Sequence, residues 1–217
     1  MSEAVQNWDH EVDLLVVGAG PGGMTAALVA AIDGLDVLIC EKSEMVGGTG
    51  ATSAGTLWIP GNSDGVAAGY DDSADDARDY LNALIGGDGI DPRCEAFIQE
   101  GATIIDKLVE KTALEFGSCG HHPDYRNNLP GAGSKGRAII PKPFDGRKLG
   151  GNFHRVRPPI DDYLLFGGMM AGKADINYLL GRYKSLSNLF HSVRLILRYA
   201  IDRFRYKRGT RLVMGNA

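Results

Sequence analysis

The sequence predicts an α/β protein that opens with a strand–helix–strand unit and continues into a mostly helical region of the α+β type. The first unit is indicated by an apolar run at 14–17, a glycine-rich stretch at 18–23 and a second apolar run at 36–40. The later region is indicated by helical periodicity between residues 73 and 207. Of the 217 residues 30 are glycine, and their positions decide the functional interpretation.

Composition excludes several classes of partner. A net charge of -4 gives no reason to expect nucleic acid or an anionic membrane surface. No segment approaches the roughly 20 uninterrupted apolar residues of a membrane span. Cys40, Cys94 and Cys119 are scattered and odd in number, and the acidic first residues contain no apolar run. We therefore expect reduced thiols, no signal peptide and a cytoplasmic location.

The strand–helix–strand unit is readable residue by residue. The run LLVV at 14–17 is typical of a strand buried on both faces of a parallel sheet. Pro21 suits the first helical position, since its missing N–H would be unpaired there. The pair at 33–34, Asp-Gly, predicts the end of that helix, and residues 36–40 predict the second strand. Glu41 follows directly at the carboxyl end of that strand.

The spacing of the glycines indicates a dinucleotide site. Gly20 lacks a Cβ, so a pyrophosphate can approach the backbone, and Gly23 allows the helix to pack closely on the strand. The helix N-terminus offers free N–H groups to the phosphates. Glu41, 18 positions after Gly23, can accept hydrogen bonds from an adenosine ribose and would repel the 2′-phosphate of NADP. The alternative is a glycine-rich turn in another α/β protein. It does not account for the strand before the glycines, the helix after them and the acid at the end of the second strand, which occur together here.

A second glycine-rich loop, EKSEMVGGTGATSAG at 41–55, follows at once. Such a loop can run along an extended cofactor and donate N–H and O–H groups to its phosphates and sugar chain. A simple NAD-binding unit would normally continue into a helix here. The alternative is a flexible linker, although linkers rarely open directly off a buried strand.

The stretches VVGAGPGGMTAALVAAIDGLDVLICEK and GGTGATSAGTLWIPGN resemble the flavoproteins grouped with fumarate reductase and succinate dehydrogenase. The resemblance is to the 3-ketosteroid 1-dehydrogenase branch in particular, and it continues in PDYRNNLPGAGSKGRAIIPKPFDGRKLG at 123–150. Residues 50–52, Gly-Ala-Thr, depart from the more hydroxylated or aromatic run expected there. This departure concerns substrate geometry and leaves the expected cofactor unchanged.

The resemblance implies a Rossmann-like FAD-binding domain that holds FAD in extended form. The residues implied in FAD binding fall into three groups along the cofactor. The pyrophosphate would lie on Gly18, Ala19, Gly20, Pro21, Gly22 and Gly23. The adenosine ribose would lie at Glu41 and Lys42. The ribityl–phosphate portion would lie along Gly48, Thr49, Ser53 and Gly55.

The resemblance also implies the organisation of the chain. Residues 1–61 would form the first segment of the FAD-binding domain, 62–209 a cap over the flavin, and 210–217 a truncated return to that domain. Relatives are more than twice as long, so the remainder of the domain would be missing. We expect such a piece, or split subunit, neither to hold FAD tightly nor to turn over alone.

Within the cap, three helices are predicted by pattern. Ser73 with Asp76 resembles a capping box, and residues 91–92, Asp-Pro, open a second helix. The apolar side of that second helix is predicted to contain Phe97, Ile98, Ile105, Leu108 and Val109. A last helix spans about 185–207, and residues 117–159 between them predict ordered loop or a small sheet.

The last helix is predicted to be amphipathic. Its predicted inner stripe is Val193, Ile196, Leu197, Ala200, Ile201 and Phe204, and its outer side holds Arg194, Arg198 and Arg205. The basic side suggests either a membrane surface or an ordinary solvated face, and we expect the solvated face.

Tyr125 is the candidate catalytic residue. By resemblance, a base would remove a proton beside the substrate carbonyl, flavin N5 would accept the hydride, and the Tyr125 hydroxyl would support that base. The alternative is a partly buried loop tyrosine packed on the cap. Cys119, His121 and His122 lack a fourth ligand at a recognised spacing, so no metal is expected. The GAGSKGR run at 131–137 is interpreted as a surface turn.

Three functions stay open at this point. The first is an FAD-dependent dehydrogenase that introduces a C=C bond next to the ketone of a steroid-like substrate. The second is a fumarate-reductase-like flavoprotein acting on a small unsaturated dicarboxylate. The third is a non-catalytic fragment or a subunit that awaits a second chain.

Overall fold

A computed structural model describes residues 8–86, 89–213 and 215. The helices in this part of the chain are α1 (Pro21–Ile32), α2 (Ser63–Ala67), α3 (Ala74–Ile85), α4 (Pro92–Lys111), α5 (Lys173–Leu180) and α6 (Leu186–Tyr206). The strands are β1 (Leu14–Val17), β2 (Val37–Cys40), β3 (Leu57–Trp58), β4 (Phe116–Ser118), β5 (Ala138–Pro141), β6 (Phe144–Asp145), β7 (Leu164–Leu165), β8 (Met169–Met170) and β9 (Arg211–Leu212).

The predicted strand–helix–strand unit is confirmed. β1 and β2 pair in parallel, with Leu14 opposite Val37 and Val17 opposite Cys40. α1 connects them and begins with proline at its first position, as the sequence predicts. The carboxyl ends of both strands therefore meet the N-terminus of α1 at one edge of the unit.

One face of this two-stranded sheet is open. Val16 is buried on the side of α1, whereas Leu15 and Val17, which point the other way, are 55% and 83% exposed. The prediction that β1 is buried on both faces is therefore wrong for this chain. The physical reason is that α1 covers one face and no described element covers the other, although parallel sheets are usually covered on both.

The helices α3 and α4 begin where the sequence predicts. The Ser73 hydroxyl accepts the N–H of Asp76 at 3.0 Å, and the Asp91 carboxylate accepts the N–H of Arg93 at 2.8 Å. α4 buries Ile98, Ile105 and Leu108. Phe97 and Val109, which the sequence also predicts on that side, are exposed. The prediction was too broad because the buried stripe of α4 is narrower than its apolar pattern.

The glycine-rich stretch at 117–159 contributes to a small sheet, which is one of the two predicted possibilities. β3, β5 and β4 form three antiparallel strands in that order. Their core consists of Ile59, Ile105, Phe116 and Ile139, so α4 packs directly on the sheet. This packing connects the first segment of the chain, through β3, to the helical region.

In the segment at 210–217, residues 211–213 pack against residues of the predicted cap, and their return to the FAD-binding domain stays a prediction. β9 pairs with β6, with Leu212 opposite Phe144. Leu212 and Val213 then form a second core with Met170. Residues 214, 216 and 217 of this segment lie outside the described residues. The domain boundaries at 61 and 209 stay predictions.

α6 packs in the opposite orientation to the predicted one. The predicted inner stripe is exposed: Leu197 is 58% and Phe204 84% exposed, whereas the buried residues of the helix are Ser192 and Asp202. The reason is that the inner side of α6 is held by hydrogen bonds, among them those of Asp202 to Thr210. Among the described helices, none combines the length and the low polarity needed to cross a bilayer.

Candidate cofactor site

The first glycine loop places free N–H groups at the N-terminus of α1. Gly18 has φ +102°, which favours glycine, and its N–H donates to the Cys40 carbonyl at 2.7 Å, so the loop is fixed to β2. The first helical bond runs from the Met24 N–H to the Gly20 carbonyl. The N–H groups of Gly20, Gly22 and Gly23 precede that bond and have no acceptor among the described residues. They are the donors that a phosphate group would use.

The glycines of this loop meet different surroundings. A Cβ on Gly23 would lie 2.0 Å from the Gly18 carbonyl oxygen, so the residue must lack a side chain for the helix to pack on β1. A Cβ on Gly20 or Gly22 would meet no atom of the chain within 4 Å. The space above these two glycines is therefore open to a ligand, as expected for the glycines nearest a pyrophosphate.

Glu41 lies at the same edge of the sheet. Its carboxylate accepts the Ala19 N–H at 2.8 Å and the Ser43 N–H at 3.0 Å. These two backbone N–H groups, that of Ala19 first, lower the pKa of the Glu41 carboxyl below its ordinary value of 4.5. An ionised carboxylate beside the glycine loop is the acceptor that ribose hydroxyls require.

The lowered pKa of Glu41 predicts how this residue contributes to the stability of the protein at acid pH. Because the folded pKa lies below the unfolded one, the carboxylate stabilises the fold above about pH 4.5, and this contribution is lost as the pH falls through the folded pKa. The difference in unfolding free energy between wild type and Glu41→Gln should therefore be constant at neutral pH and shrink below about pH 4. Denaturant titrations across that range measure it. A difference that stayed constant to about pH 2 would contradict this account.

The second glycine-rich loop lies directly against the first. The Gly47 N–H donates to the Ala19 carbonyl at 2.8 Å. A Cβ on Gly48 would lie 3.1 Å from the Gly20 Cα, and one on Gly50 would lie 2.3 Å from the Pro21 ring. The interpretation of this segment as a flexible linker is therefore wrong, because its backbone is packed on the N-terminus of α1.

The hydroxyl groups of the second loop are used in two ways. The Ser53 hydroxyl donates to the Gly50 carbonyl at 2.8 Å and accepts the Gly55 N–H at 3.0 Å, so it stabilises the loop itself. The side chains of Thr49 and Lys42 are exposed. The contact of these residues with a cofactor stays a prediction.

Two contacts at this site have no signal in the local sequence. The backbone of Val46 pairs with that of residues 155–157, and Arg157 donates to the Ser43 hydroxyl at 3.2 Å, close to Glu41. The Gly215 N–H donates to the Ser53 carbonyl at 3.3 Å. Both segments come from more than 100 residues away along the chain, so spacing could not predict them.

Tyr125 lies apart from hydrogen-bonding partners. Its side chain is 98% exposed and forms no hydrogen bond with the described residues. The alternative interpretation, a partly buried tyrosine packed on the cap, is therefore wrong. The hydroxyl is accessible to a substrate or to another residue, and its role in catalysis stays a prediction.

A buried ion-pair network lies directly beside Tyr125. Arg137, 3% exposed, donates to Asp72 at 2.7 Å and to Asp124 at 2.8 Å. Asp124 also accepts the Trp58 ring N–H at 2.7 Å and the Gly133 N–H at 2.8 Å. Sequence reasoning missed this network, although Asp124 and Arg137 fall within the motifs that carry the family resemblance. It fixes the loop from which Tyr125 projects.

The arrangement fits the adenosine diphosphate half of a dinucleotide. Free N–H donors, open space above two glycines and an ionised carboxylate all lie at the carboxyl edge of a parallel pair of strands. A second loop packs on the first at this edge. The donor set is suited to phosphate and ribose oxygens and offers no clustered metal ligands among the described residues.

Comparison with known proteins gives several dehydrogenases among the relatives of this chain. The chain is 38% identical over 216 residues to a 4-oxocyclohex-2-ene-1-carboxylate 5-dehydrogenase of Sinomonas cyclohexanicum, a match that covers 98% of this chain and 36% of the relative. It is 30% identical over 213 residues to a 3-oxosteroid 1-dehydrogenase of Comamonas testosteroni, covering 96% of this chain and 37% of that relative. The chain thus spans little more than a third of the length of these relatives.

A solved structure agrees with the fold. The 3-ketosteroid delta1-dehydrogenase of Sterolibacterium denitrificans, in complex with 1,4-androstadiene-3,17-dione, has a TM-score of 0.81 and 32% identity, and the match covers 94% of this chain and 36% of that one. The family model that matches is described as an FAD binding domain and aligns with residues 13–217. The predicted cofactor is therefore confirmed at the level of the family, and the chain belongs to this family of FAD-binding domains.

Proposed function

We propose that this chain forms the adenosine diphosphate-binding segment and the cap of an FAD-dependent dehydrogenase that introduces a C=C bond next to a ring ketone. The observation that carries the proposal is the contact between the two glycine loops at the N-terminus of α1, with Glu41 beside them. Two relatives of this chain and its structural neighbour are named as dehydrogenases of ring ketones, which supports the same reaction class.

The chain's own residues would divide the binding of FAD between them. The free N–H groups of Gly20, Gly22 and Gly23 would hold the pyrophosphate, and Glu41 would exchange its hydrogen bond from Ala19 for those of the ribose. FAD, when bound, supplies a two-electron acceptor for the substrate. The protein would position FAD, exclude water from the site and transfer a proton.

Tyr125 would act on the proton side of the reaction. Its exposed hydroxyl is available to hydrogen-bond a catalytic base, and the buried pair of Asp124 and Arg137 holds the backbone from which it projects. A group held in this way needs little reorganisation when it meets its partner.

The substrate is proposed to be a steroid-like ketone. A smaller ring ketone that carries a carboxylate is the second candidate, because the Sinomonas relative matches 98% of this chain at 38% identity. The two ketones differ in charge and size. Comparing how fast each of them bleaches the flavin therefore separates the two candidates.

The activity is proposed to require protein beyond the described fold. Leu15 and Val17 are exposed on the open face of β1, where a doubly wound sheet would carry further elements. The matched part of each relative is about a third of its length. A second polypeptide that supplies the remainder is one way to complete the site.

A chimera tests the proposed function. We expect the chain, joined to the part of the Comamonas enzyme that follows the matched segment, to give a yellow protein whose FAD is bleached by a 3-oxosteroid under anaerobic conditions. Tyr125→Phe should slow bleaching by about tenfold to a hundredfold, as for loss of one group that assists proton transfer. Tyr183→Phe, another exposed tyrosine, is the matched control. A folded yellow chimera that no ring ketone bleaches would contradict the proposal.

A further inference from the structure

Arg157 connects the predicted cap to the ribose side of the cofactor site. Its guanidinium donates to the Ser43 hydroxyl at 3.2 Å. Its Cβ lies over Gly47, 3.8 Å from the position that a Cβ on that glycine would take. Arg157 thus contacts both ends of the turn formed by residues 43–47, which is the first part of the second glycine-rich loop.

The backbone around Arg157 is joined to the same turn. The Val46 N–H donates to the Arg155 carbonyl at 2.8 Å, and the Arg157 N–H donates to the Val46 carbonyl at 3.1 Å. Val46 and Val156 therefore form a parallel bridge. The cap and the turn at 43–47 are held together by two backbone hydrogen bonds and by the side chain of Arg157.

The turn at 43–47 also holds Glu41. One carboxylate oxygen of Glu41 accepts the Ser43 N–H at 3.0 Å, and the other accepts the Ala19 N–H at 2.8 Å. On nucleotide binding, the ribose hydroxyls would replace Ala19 as donors to the second oxygen. The bond from Ser43 would then fix more of the orientation of the carboxylate than it does in the free protein. The position of Ser43 therefore matters more when a nucleotide is bound.

We propose that Arg157 is a positioning residue for the nucleotide and that it couples the cap to the adenosine diphosphate site. The guanidinium fixes the Ser43 hydroxyl, the Ser43 N–H fixes the carboxylate of Glu41, and Glu41 binds the ribose. Because coupling between two sites is reciprocal, a bound nucleotide also holds residues 155–157 more firmly on the turn. The inference rests on the proposed nucleotide site and adds to it a residue from the cap.

A direct attraction between Arg157 and the phosphates is the alternative. The contacts favour the indirect role, because the guanidinium bonds the Ser43 hydroxyl beside Glu41, whereas the phosphate donors lie at the N-terminus of α1. Arg155 provides the control for charge, since it lies two residues earlier on the same segment and is exposed. Its side chain forms no hydrogen bond or ion pair with the described residues.

Calorimetric titration of the 217-residue protein with ADP tests the positioning role. Arg157→Met should lower the affinity for ADP about threefold to tenfold, as for one lost hydrogen bond, and Ser43→Ala should do the same. The double variant should lose no more than the larger single loss, because Arg157 acts through Ser43. Arg155→Met should change the affinity less than about twofold, since its exposed charge is screened. A purely structural role would lower the free energy of unfolding and leave the ADP affinity of the folded protein unchanged.

Limited proteolysis with trypsin tests the reciprocal effect on the unsubstituted protein. Trypsin cleaves after exposed arginines, and the bond between Arg155 and Val156 lies within the bridge to Val46. ADP at the concentration that saturates the titration should slow cleavage of this bond at least about twofold, because cleavage requires the bridge to open. The bond between Arg182 and Tyr183, which also follows an exposed arginine, is the reference in the same digest and should be cleaved at an unchanged rate.

Several outcomes would overturn the inference. Full ADP affinity in Ser43→Ala, or an equal loss in Arg157→Met and Arg155→Met, would exclude the positioning role; Ser43→Ala carries this test alone if Arg157→Met does not fold. Additive losses in the double variant would show that Arg157 does not act through Ser43. Equal slowing of cleavage at both tryptic sites, or at neither, would exclude the coupling to the cap. These results contradict the inference alone, whereas a protein that binds no ADP contradicts the proposed nucleotide site as well.

Discussion

Replacing Arg137 by methionine is expected to lower the free energy of unfolding by about 3–5 kcal/mol, because it leaves two buried carboxylates without their cation. The side chains of Asp72 and Asp124 are 7% and 3% exposed, so water cannot replace the guanidinium. Methionine keeps most of the apolar volume of the arginine stem, which isolates the effect of charge. Chemical denaturation monitored by Trp58 fluorescence measures this loss of stability, since the Trp58 ring N–H donates a hydrogen bond to Asp124.

Arg147→Met is the matched control for this prediction. Arg147 is paired with Asp145, but its side chain is 49% exposed, and exposed ion pairs contribute about 0–1 kcal/mol. Equal losses in the two variants would show that burial of the Arg137 network does not determine its contribution.

Substitutions at two glycines of the first loop are expected to separate folding from cofactor binding. Gly20→Val should leave stability within about 1 kcal/mol, because the backbone there has φ -82° and a Cβ meets no atom within 4 Å. It should lower the affinity for FAD at least about tenfold, since the side chain fills the space that the pyrophosphate would occupy. Gly23→Ala should lower both the stability and the affinity for FAD, because the Cβ of the alanine would lie 2.0 Å from the Gly18 carbonyl oxygen. Overpacking of this kind costs about 1–3 kcal/mol.

Thermal unfolding and calorimetric titration with FAD measure these two effects. Gly22→Ala is the control for stability, since its Cβ also meets open space, in the first turn of α1. Full FAD affinity in Gly20→Val would mean that the pyrophosphate does not lie over this glycine.

The parts of the molecule that the sequence predicts are those determined by neighbours along the chain. Pro21, Ser73 and Asp91 begin helices because each satisfies the first turn locally, and all three helices begin there. The Gly23 contact with β1 was predictable for the same reason, because strand, turn and helix are consecutive.

The parts that the sequence does not predict depend on long-range pairing. Arg137 binds Asp72 and Asp124, 65 and 13 positions away, and no periodicity links these residues. Helical periodicity shows that α6 has an apolar and a polar side, but it does not show which side the protein covers. In this protein, hydrogen bonds such as those of Asp202 determine which side of α6 is covered, and the covered side is the polar one.

The most direct test of the account is a calorimetric titration of this chain with FAD, ADP and FMN. The glycine loop and Glu41 are expected to hold the adenosine diphosphate half, although weakly in this chain alone, so FAD and ADP should bind with similarly low affinity and FMN should not bind at the same concentrations. Binding of FMN as tight as that of FAD, or no binding of ADP, would contradict the assignment of this crevice.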